Sequence, residues 1–301
     1  MDELGKHCWI HDWYNATVFL LPSNKTEKWK KKEELMSKDF YGMTCLHSAC
    51  AKNMSRYKHA PKEVIKLMID IGGDDLLMEK DNYCDYTPLQ MLAYDQNTNV
   101  EMMKILLELG GGKELIKKSG YSHGYTMLHE LSMQSAQWSW ETDEPSLQRI
   151  KLILDYTGKE LLFARTEENG RTPLHLACME RAPVNVINML VEAGGEELVL
   201  LTDNDGLTAL HFLCYDIDED IDGLLKIAIL LNCCGSKLLP MKTNDLRTAL
   251  DFAKEEGASQ EILEALGLKK RKKLLGKAFS KEKTLTEAAT CGAITSVQCQ
   301  A

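Results

Sequence analysis

The sequence predicts an all-α chain built as a stack of repeated helix pairs, and two observations carry that prediction. The first is a recurring string. Thr172-Pro173-Leu174-His175-Leu176-Ala177-Cys178 is matched by Thr44-Cys45-Leu46-His47-Ser48-Ala49-Cys50. Thr87-Pro88-Leu89-Gln90, Thr126-Met127-Leu128-His129, Thr208-Ala209-Leu210-His211 and Thr248-Ala249-Leu250-Asp251 are shorter copies. Six copies starting 36 to 46 residues apart mark a stacked array rather than one globular core. The second observation is composition. Of 301 residues 44% are hydrophobic, enough for a core, while seven prolines and 7% aromatics fall short of the turn punctuation of a strand sandwich.

In chain order, residues 1–38 hold Trp9, Trp13 and Phe19, then the basic run Lys28-Trp29-Lys30-Lys31-Lys32. Glu34-Leu35-Met36 echoes later connectors, so this segment is expected to be a degenerate half-repeat capping the array. Residues 39–267 hold six units. Each first helix starts at the recurring Thr, which can cap a helix N-terminus. Pro at the next position suits the first turn, where its missing N–H costs nothing. Small residues such as Ala49-Cys50 and Ala177-Cys178 let a neighbouring helix come close. The second helices, around residues 64–68, 102–107, 150–154, 186–191 and 224–230, are apolar on several sides and must be sandwiched between adjacent units. Four of them end in Gly72-Gly73, Gly110-Gly111, Thr157-Gly158 or Gly194-Gly195, and glycine past a helix end can turn left-handed to satisfy the last carbonyls. A leucine-rich connector follows, for example Asp75-Leu76-Leu77 or Glu197-Leu198-Val199, then a polar turn containing Asn169-Gly170 or Asp205-Gly206, both tight-turn pairs. Residues 268–301 form a basic tail that reads either as a frayed or truncated seventh unit, with Leu285, Ala288, Ala289 and Gly292 in register, or as a disordered tail.

This pattern resembles the ankyrin repeat. The match spans residues 39–267 and recurs with its flanking helix and turn. The usual unit is about 33 residues, whereas these average about 41, so the chain is similar to a long-repeat variant. The resemblance implies an ankyrin-type solenoid: antiparallel helix pairs with turn fingers projecting from one edge. It also implies that fingers and first helices line a concave face that binds protein, and that each recurring His hydrogen-bonds near the Thr of its own unit.

Several chemistries are disfavoured. His47, His129, His175 and His211 occupy one register position in separate units, ~10 Å apart in a helix stack, too far for one metal at ~2 Å bonds. Ten cysteines include no Cys-x-x-Cys pair, so neither a zinc site nor a dithiol redox site is expected. Asp218-Glu219-Asp220-Ile221-Asp222-Gly223 imitates the first half of a calcium loop, yet position 12 is Ile229 rather than Glu. Gly110-Gly111-Gly112-Lys113 is a helix stop, not a phosphate loop. We therefore expect no catalytic residue, no metal and no cofactor. The net charge of −9 argues against a general nucleic-acid binder. No secretory leader or membrane-length apolar run stands out, so the expected location is cytoplasmic, the expected state monomeric, and membrane association is not expected.

The expected function is a non-catalytic scaffold module that binds an unidentified protein partner. The early fingers are aromatic, with Phe40, Tyr41, Tyr83, Tyr86, Tyr121 and Tyr125; the later ones are charged, with Arg171, Asp203, Asp205 and Arg247. Tyr and Arg are common interface anchors. From residue 182 to 225 there are ten acids and no Lys or Arg, whereas residues 269–283 hold eight Lys or Arg against one Glu. The contiguous Lys269-Lys270-Arg271-Lys272-Lys273 reads either as a nuclear-import signal of an adaptor or as a solvated helix folding back on the acidic block. Trp138 and Trp140 mark an insert in the third unit that either lies on the stack or offers a separate contact. A regulatory or targeting fragment of a larger protein is the alternative function; an enzyme is not expected.

Overall fold

A computed structural model of the chain describes residue 20 and residues 25–50, 60–94, 100–137, 144–215 and 221–267. The calls on Trp138 and Trp140, on Asp218 to Asp220 and on the tail from 268 lie outside the described residues. Among those described, regular structure is helical, with two isolated antiparallel bridges, Thr202 to Thr208 and Lys242 to Thr248. The chain divides into two compact units, residues 1–134 with 140–161, and residues 135–139 with 162–301.

Unit 1 contains α1 (Lys25–Met36), α2 (Cys45–Cys50), α3 (Lys62–Met78), α4 (Pro88–Tyr94), α5 (Val100–Leu109), α6 (Lys113–Lys118), a 3-10 turn at Ser122–Gly124, α7 (Met127–Gln137), whose residues 127–134 belong here, and α8 (Glu144–Thr157). A second 3-10 turn, Glu160–Phe163, follows α8. Short first helices pack side by side, α2 on α4, and the longer helices form a second layer, α1 on α3, α3 on α5 and α5 on α8. Unit 2 repeats the plan with α9 (Pro173–Met179), α10 (Val184–Val199), α11 (Ala209–Tyr215), α12 (Ile221–Leu238), α13 (Ala249–Glu255) and α14 (Gln260–Leu266). Here α9, α11 and α13 form the inner layer, while α10, α12 and α14 form the outer one. The layers exist because the recurring Leu has no exposure at all in five copies, Leu46, Leu89, Leu128, Leu174 and Leu210. Each such side chain contributes about 1.5–3 kcal/mol on burial.

Gly158 follows the end of α8 with φ 61° and its N–H donates to Leu154 O (2.8 Å), as expected of a cap, but Gly72-Gly73 and Gly194-Gly195 do different work. In α3 the helix breaks at Gly73 (φ 67°, ψ −158°) and resumes at once; α10 breaks in the same way at Gly195 (φ 66°, ψ −161°). That conformation lies far from the left-handed helical basin and is essentially restricted to glycine. The preceding glycine is needed for space, because a Cβ on Gly72 would come within 2.5 Å of Leu76, and one on Gly194 within 2.4 Å of Leu198. The connector is therefore an extra helical turn rather than a link, and much of the added repeat length resides there. In α12 the backbone instead opens at Cys234 (φ −153°, ψ 31°), so Cys233-Cys234 lie inside a kinked helix.

Two buried cations cap first helices from the outer layer. Arg149 of α8 donates from Nη1 to the Ala93 carbonyl in the last turn of α4 (2.8 Å), and Lys226 of α12 donates to the Arg181 carbonyl beyond α9 (3.4 Å). A cation suits a helix C-terminus, where carbonyls lack intrahelical partners.

Candidate functional site

Each finger is closed at its base by one backbone bond. Asp39 N–H donates to Met43 O (3.0 Å), Asp81 to Tyr86 (2.9 Å), Tyr121 to Tyr125 (2.9 Å), Thr166 to Arg171 (3.0 Å), Asp203 to Leu207 (2.9 Å) and Thr243 to Arg247 (2.9 Å). Where the opening residue is Asp, its carboxylate folds the turn. Asp39 Oδ1 accepts from Tyr41 and Met43 N–H, Asp81 Oδ1 from Tyr83 and Cys84, and Asp203 Oδ1 from Asp205 and Leu207, all at 2.8–3.0 Å. Neighbouring tips are then joined by asparagine. Asn82 N–H reaches Tyr41 O, Asn204 reaches Asn169 O and Asn244 reaches Asp205 O, each at 2.9 Å. The Asn204 and Asn244 amides add bonds to Glu168 O and Asn204 O at 3.0 Å. The residue two before the repeat Thr has a positive φ in every finger: Gly42, Asp85, Gly124, Gly170, Gly206 and Leu246.

The recurring His locks finger to helix. Thr172 N–H donates to His175 Nδ1 (3.1 Å), while Nε2–H donates to Leu201 O of the next finger (3.1 Å). His47 makes the same pair, with Thr44 N–H at 3.2 Å and Tyr86 O at 3.0 Å. Both bonds require the neutral Nε2–H tautomer. Burial opposes protonation further: it lowers the titration of His47 and His211 and brings His175 down to about 4. In α4 and α13 the position is Gln90 and Asp251, whose side-chain oxygens accept the same Thr N–H at 2.8 and 2.9 Å. No group of three or more potential metal ligands occurs among the described residues. The helix-packed cysteines Cys50 and Cys178 are buried thiols pushed up to about 12.

The expected contact residues fall into three environments. At the tips, Tyr83 and Tyr41 are 85% and 53% exposed, and Phe40, edge-on to Tyr41 at 5.5 Å, is 92% exposed. Asp205 is also exposed at a tip. Below the tips, Tyr86 packs edge-on against Tyr121 (5.7 Å) and against Tyr94 (5.4 Å), and Tyr125 lies against His129 (5.8 Å). Burial raises the Tyr86 phenol to about 12 and moves that of Tyr121 in the same direction. Arg171 lies over Phe212 (4.9 Å) and reaches Met179 Sδ, while Arg247 lies over Phe252 (3.9 Å) and pairs with Glu255. Asp203 is buried at a finger base, with Oδ2 toward Arg171 Nε (3.5 Å). Tyr121 and Asp203 thus build the fingers from within, because one fills the inter-finger contact and the other satisfies turn amides.

Other surface residues carry no family-string signal. The residue before the repeat Thr touches the one seven after it: Tyr86 meets Tyr94, Arg171 meets Met179 and Arg247 meets Glu255. Tyr94 and Tyr215 share that later position and are 46% and 60% exposed; counting seven on from Thr87 and Thr208 finds them. The asparagine ladder is likewise legible only after Asp81-Asn82, Asp203-Asn204 and Thr243-Asn244 are aligned on their following Thr.

Comparison with known proteins bears on the fold. The ankyrin-repeat family model matches residues 169–204, the fourth finger with α9 and α10. No curated protein sequence matches the chain. Among solved structures, the ankyrin repeat domain of Bcl-3, described as a member of the IkappaB protein family, is similar with a TM-score of 0.65. It is 16% identical, and the likeness covers 88% of this chain and 98% of that one. A chain of the complex between the predatory endopeptidase Bd0816 of Bdellovibrio bacteriovorus and the immunity protein Bd3460 is similar with a TM-score of 0.51. There the identity is 19%, over 76% of this chain and 98% of that one. With the Thr-His lock, the paired helix layers and the projecting fingers, these likenesses show that the chain has the all-α fold of ankyrin-repeat domains, with an ankyrin repeat at residues 169–204.

Proposed function

We propose that the chain is a non-catalytic protein-interaction module, residues 39–267, that holds a partner protein by its finger tips and the adjoining inner face. The observation that carries this reading is the aromatic surface on two neighbouring fingers of unit 1. Phe40, Tyr41 and Tyr83 are all more than half exposed, and Asn82 joins the two fingers through Tyr41 O. Single exposed apolar side chains are ordinary, but three bulky rings on adjacent turns match the anchors of protein interfaces. Nearby charges are already matched, Lys38 to Glu79 and Lys80 to Asp85, so this surface favours an apolar contact. The tips of unit 2 carry Glu167, Glu168, Asp205 and Asp245 with no cation among residues 167–170, 204–206 and 244–246, which favours a positively charged region of the partner. We place the module in the cytoplasm. No helix among the described residues is long and apolar enough to cross a membrane.

A photo-reactive phenylalanine analogue at position 83, compared with the same group at position 86, tests this reading. The exposed position is expected to cross-link a discrete partner protein in cell extract, and the packed one to give little. Equal products from both positions, or none from position 83, would remove the finger-tip site.

A further inference from the structure

We propose that Cys233 and Cys234, in the bend of α12, form a peroxide-reactive thiol pair that closes reversibly to a disulfide between neighbouring residues. This goes beyond the partner reading and does not depend on it.

The pair stands where other outer helices carry small residues. Aligned on Leu76, Leu198 and Leu238, Cys234 takes the place of Gly72 and Gly194, and Cys233 that of Ala193. At the glycine place a Cβ would meet the Leu four residues on, within 2.5 Å at Gly72 and 2.4 Å at Gly194. In α12 that Leu is the buried Leu238. Cys234 brings a Cβ to this place, and the backbone break falls on Cys234 itself, one residue earlier than at Gly73 and Gly195. In an unbroken helix neighbouring side chains do not face each other. Here the break brings the two thiols together: the buried Cys234 S–H donates to Cys233, which is partly exposed. Burial, and then the Cys233 sulfur, push the Cys234 thiol up to about 12, so Cys234 keeps its proton while Cys233 meets solvent.

The two positions divide the oxidation between them. The Cys233 thiolate attacks hydrogen peroxide; the S–O bond forms, the O–O bond breaks, and the departing hydroxide takes up the proton that Cys233 released, leaving water and a sulfenic acid. The Cys234 sulfur then attacks the Cys233 sulfur; the S–S bond forms, the S–O bond breaks, and hydroxide leaves with the Cys234 proton as a second water. Both sulfurs are oxidised and both peroxide oxygens reduced, and a dithiol reverses the change by exchange. Other described cysteines lack half of this arrangement. Cys50, Cys178 and Cys214 are buried, and the exposed Cys84 has no cysteine next to it in the chain. The Cys-x-x-Cys spacing is absent, but adjacency across a broken helix serves in its stead. Because α12 packs on α10 and α14, and its Lys237 pairs with Glu196 of α10, the closed ring holds the bend where outer helices meet.

Brief treatment of the folded full chain with hydrogen peroxide, followed by alkylation and tryptic mass spectrometry, tests this directly. Cleavage after Lys226 and Lys237 leaves both cysteines on one peptide, residues 227–237. That peptide is expected to lose two hydrogens, to resist alkylation at both sulfurs, and to recover when a dithiol is added first. Cys234→Gly, which restores the residue found at Gly72 and Gly194, should keep the fold and lower the dithiol-reversible fraction at Cys233 at least tenfold, with sulfinic acid formed instead. The native bend suits the ring, so the oxidised chain should melt at a Tm no lower than that of the reduced one. Sulfinic acid at Cys233 in the native chain, a disulfide from Cys233 to another peptide, an unchanged reversible fraction in Cys234→Gly, or a fall in Tm on closure would overturn the proposal.

Discussion

His175 shows how one position can serve a repeat with different chemistry. The task is to accept the Thr N–H at the helix start and, where possible, to reach the next finger. Imidazole does both in His47 and His175. Gln90 does both without a titratable group, accepting from Thr87 N–H and donating to Gly120 O at 3.2 Å. Asp251 accepts from both the N–H and the hydroxyl of Thr248, and those bonds hold its carboxyl below the usual range. The histidines therefore impose an acid limit on the fold. The folded-state value of His175, about 4, lies below the ~6.5 of an unfolded chain, so the unfolded chain binds the extra proton between these limits. Its contribution is complete above about pH 6.5 and declines as pH falls toward 4, by on the order of 3 kcal/mol. His47 and His211 act in the same sense. Urea midpoints measured from pH 4 to 7 should show a shallower slope for His175→Gln, with the fold retained because Gln90 already fills this role. An unchanged slope would mean that His175 is not buried neutral.

At the scale of the element, helix identity and the repeat Thr were legible from apolar spacing and the recurring string. The connector was not recognised as helical, because Gly72-Gly73 and Gly194-Gly195 look like stops. A glycine pair ends a helix when the chain leaves it, yet here the second glycine only redirects the axis and Leu76 or Leu198 packs back over the first. The two glycines should therefore fail for different reasons. Gly194→Ala drives a Cβ into Leu198 and should cost about 1–3 kcal/mol through overpacking. Gly195→Ala meets no atom within 4 Å but forces alanine into a glycine-only conformation, a cost of about 1–3 kcal/mol. Leu198→Ala, which removes Cγ and Cδ2 but keeps a Cβ at 2.6 Å, should relieve Gly194→Ala only in part in a double-mutant cycle and leave Gly195→Ala unrelieved. Additive costs in both pairs would show that Leu198 does not set the need for Gly194.

Across the whole molecule, the repeat string was legible because it is the scaffold, whereas the proposed contact surface lies in what varies around it. Sequence alone nominated Tyr41 and Tyr83 beside Tyr86, Tyr121 and Asp203 without distinguishing them. Only packing separates exposed rings from those wedged between fingers, since a finger tyrosine's fate depends on the adjacent finger. Asp203 illustrates the same limit: acidic residues two apart look equivalent in the chain, but one caps turn amides and the other faces solvent. The central claim is that a partner is held by the exposed aromatic tips. Its most direct measurement is quantitative affinity capture with the full chain and with Phe40→Ser, Tyr41→Ser and Tyr83→Ser combined, each at matched Tm. The account predicts that proteins enriched by the native chain fall at least tenfold with the triple variant. Recovery of the same proteins in the same yield would contradict it.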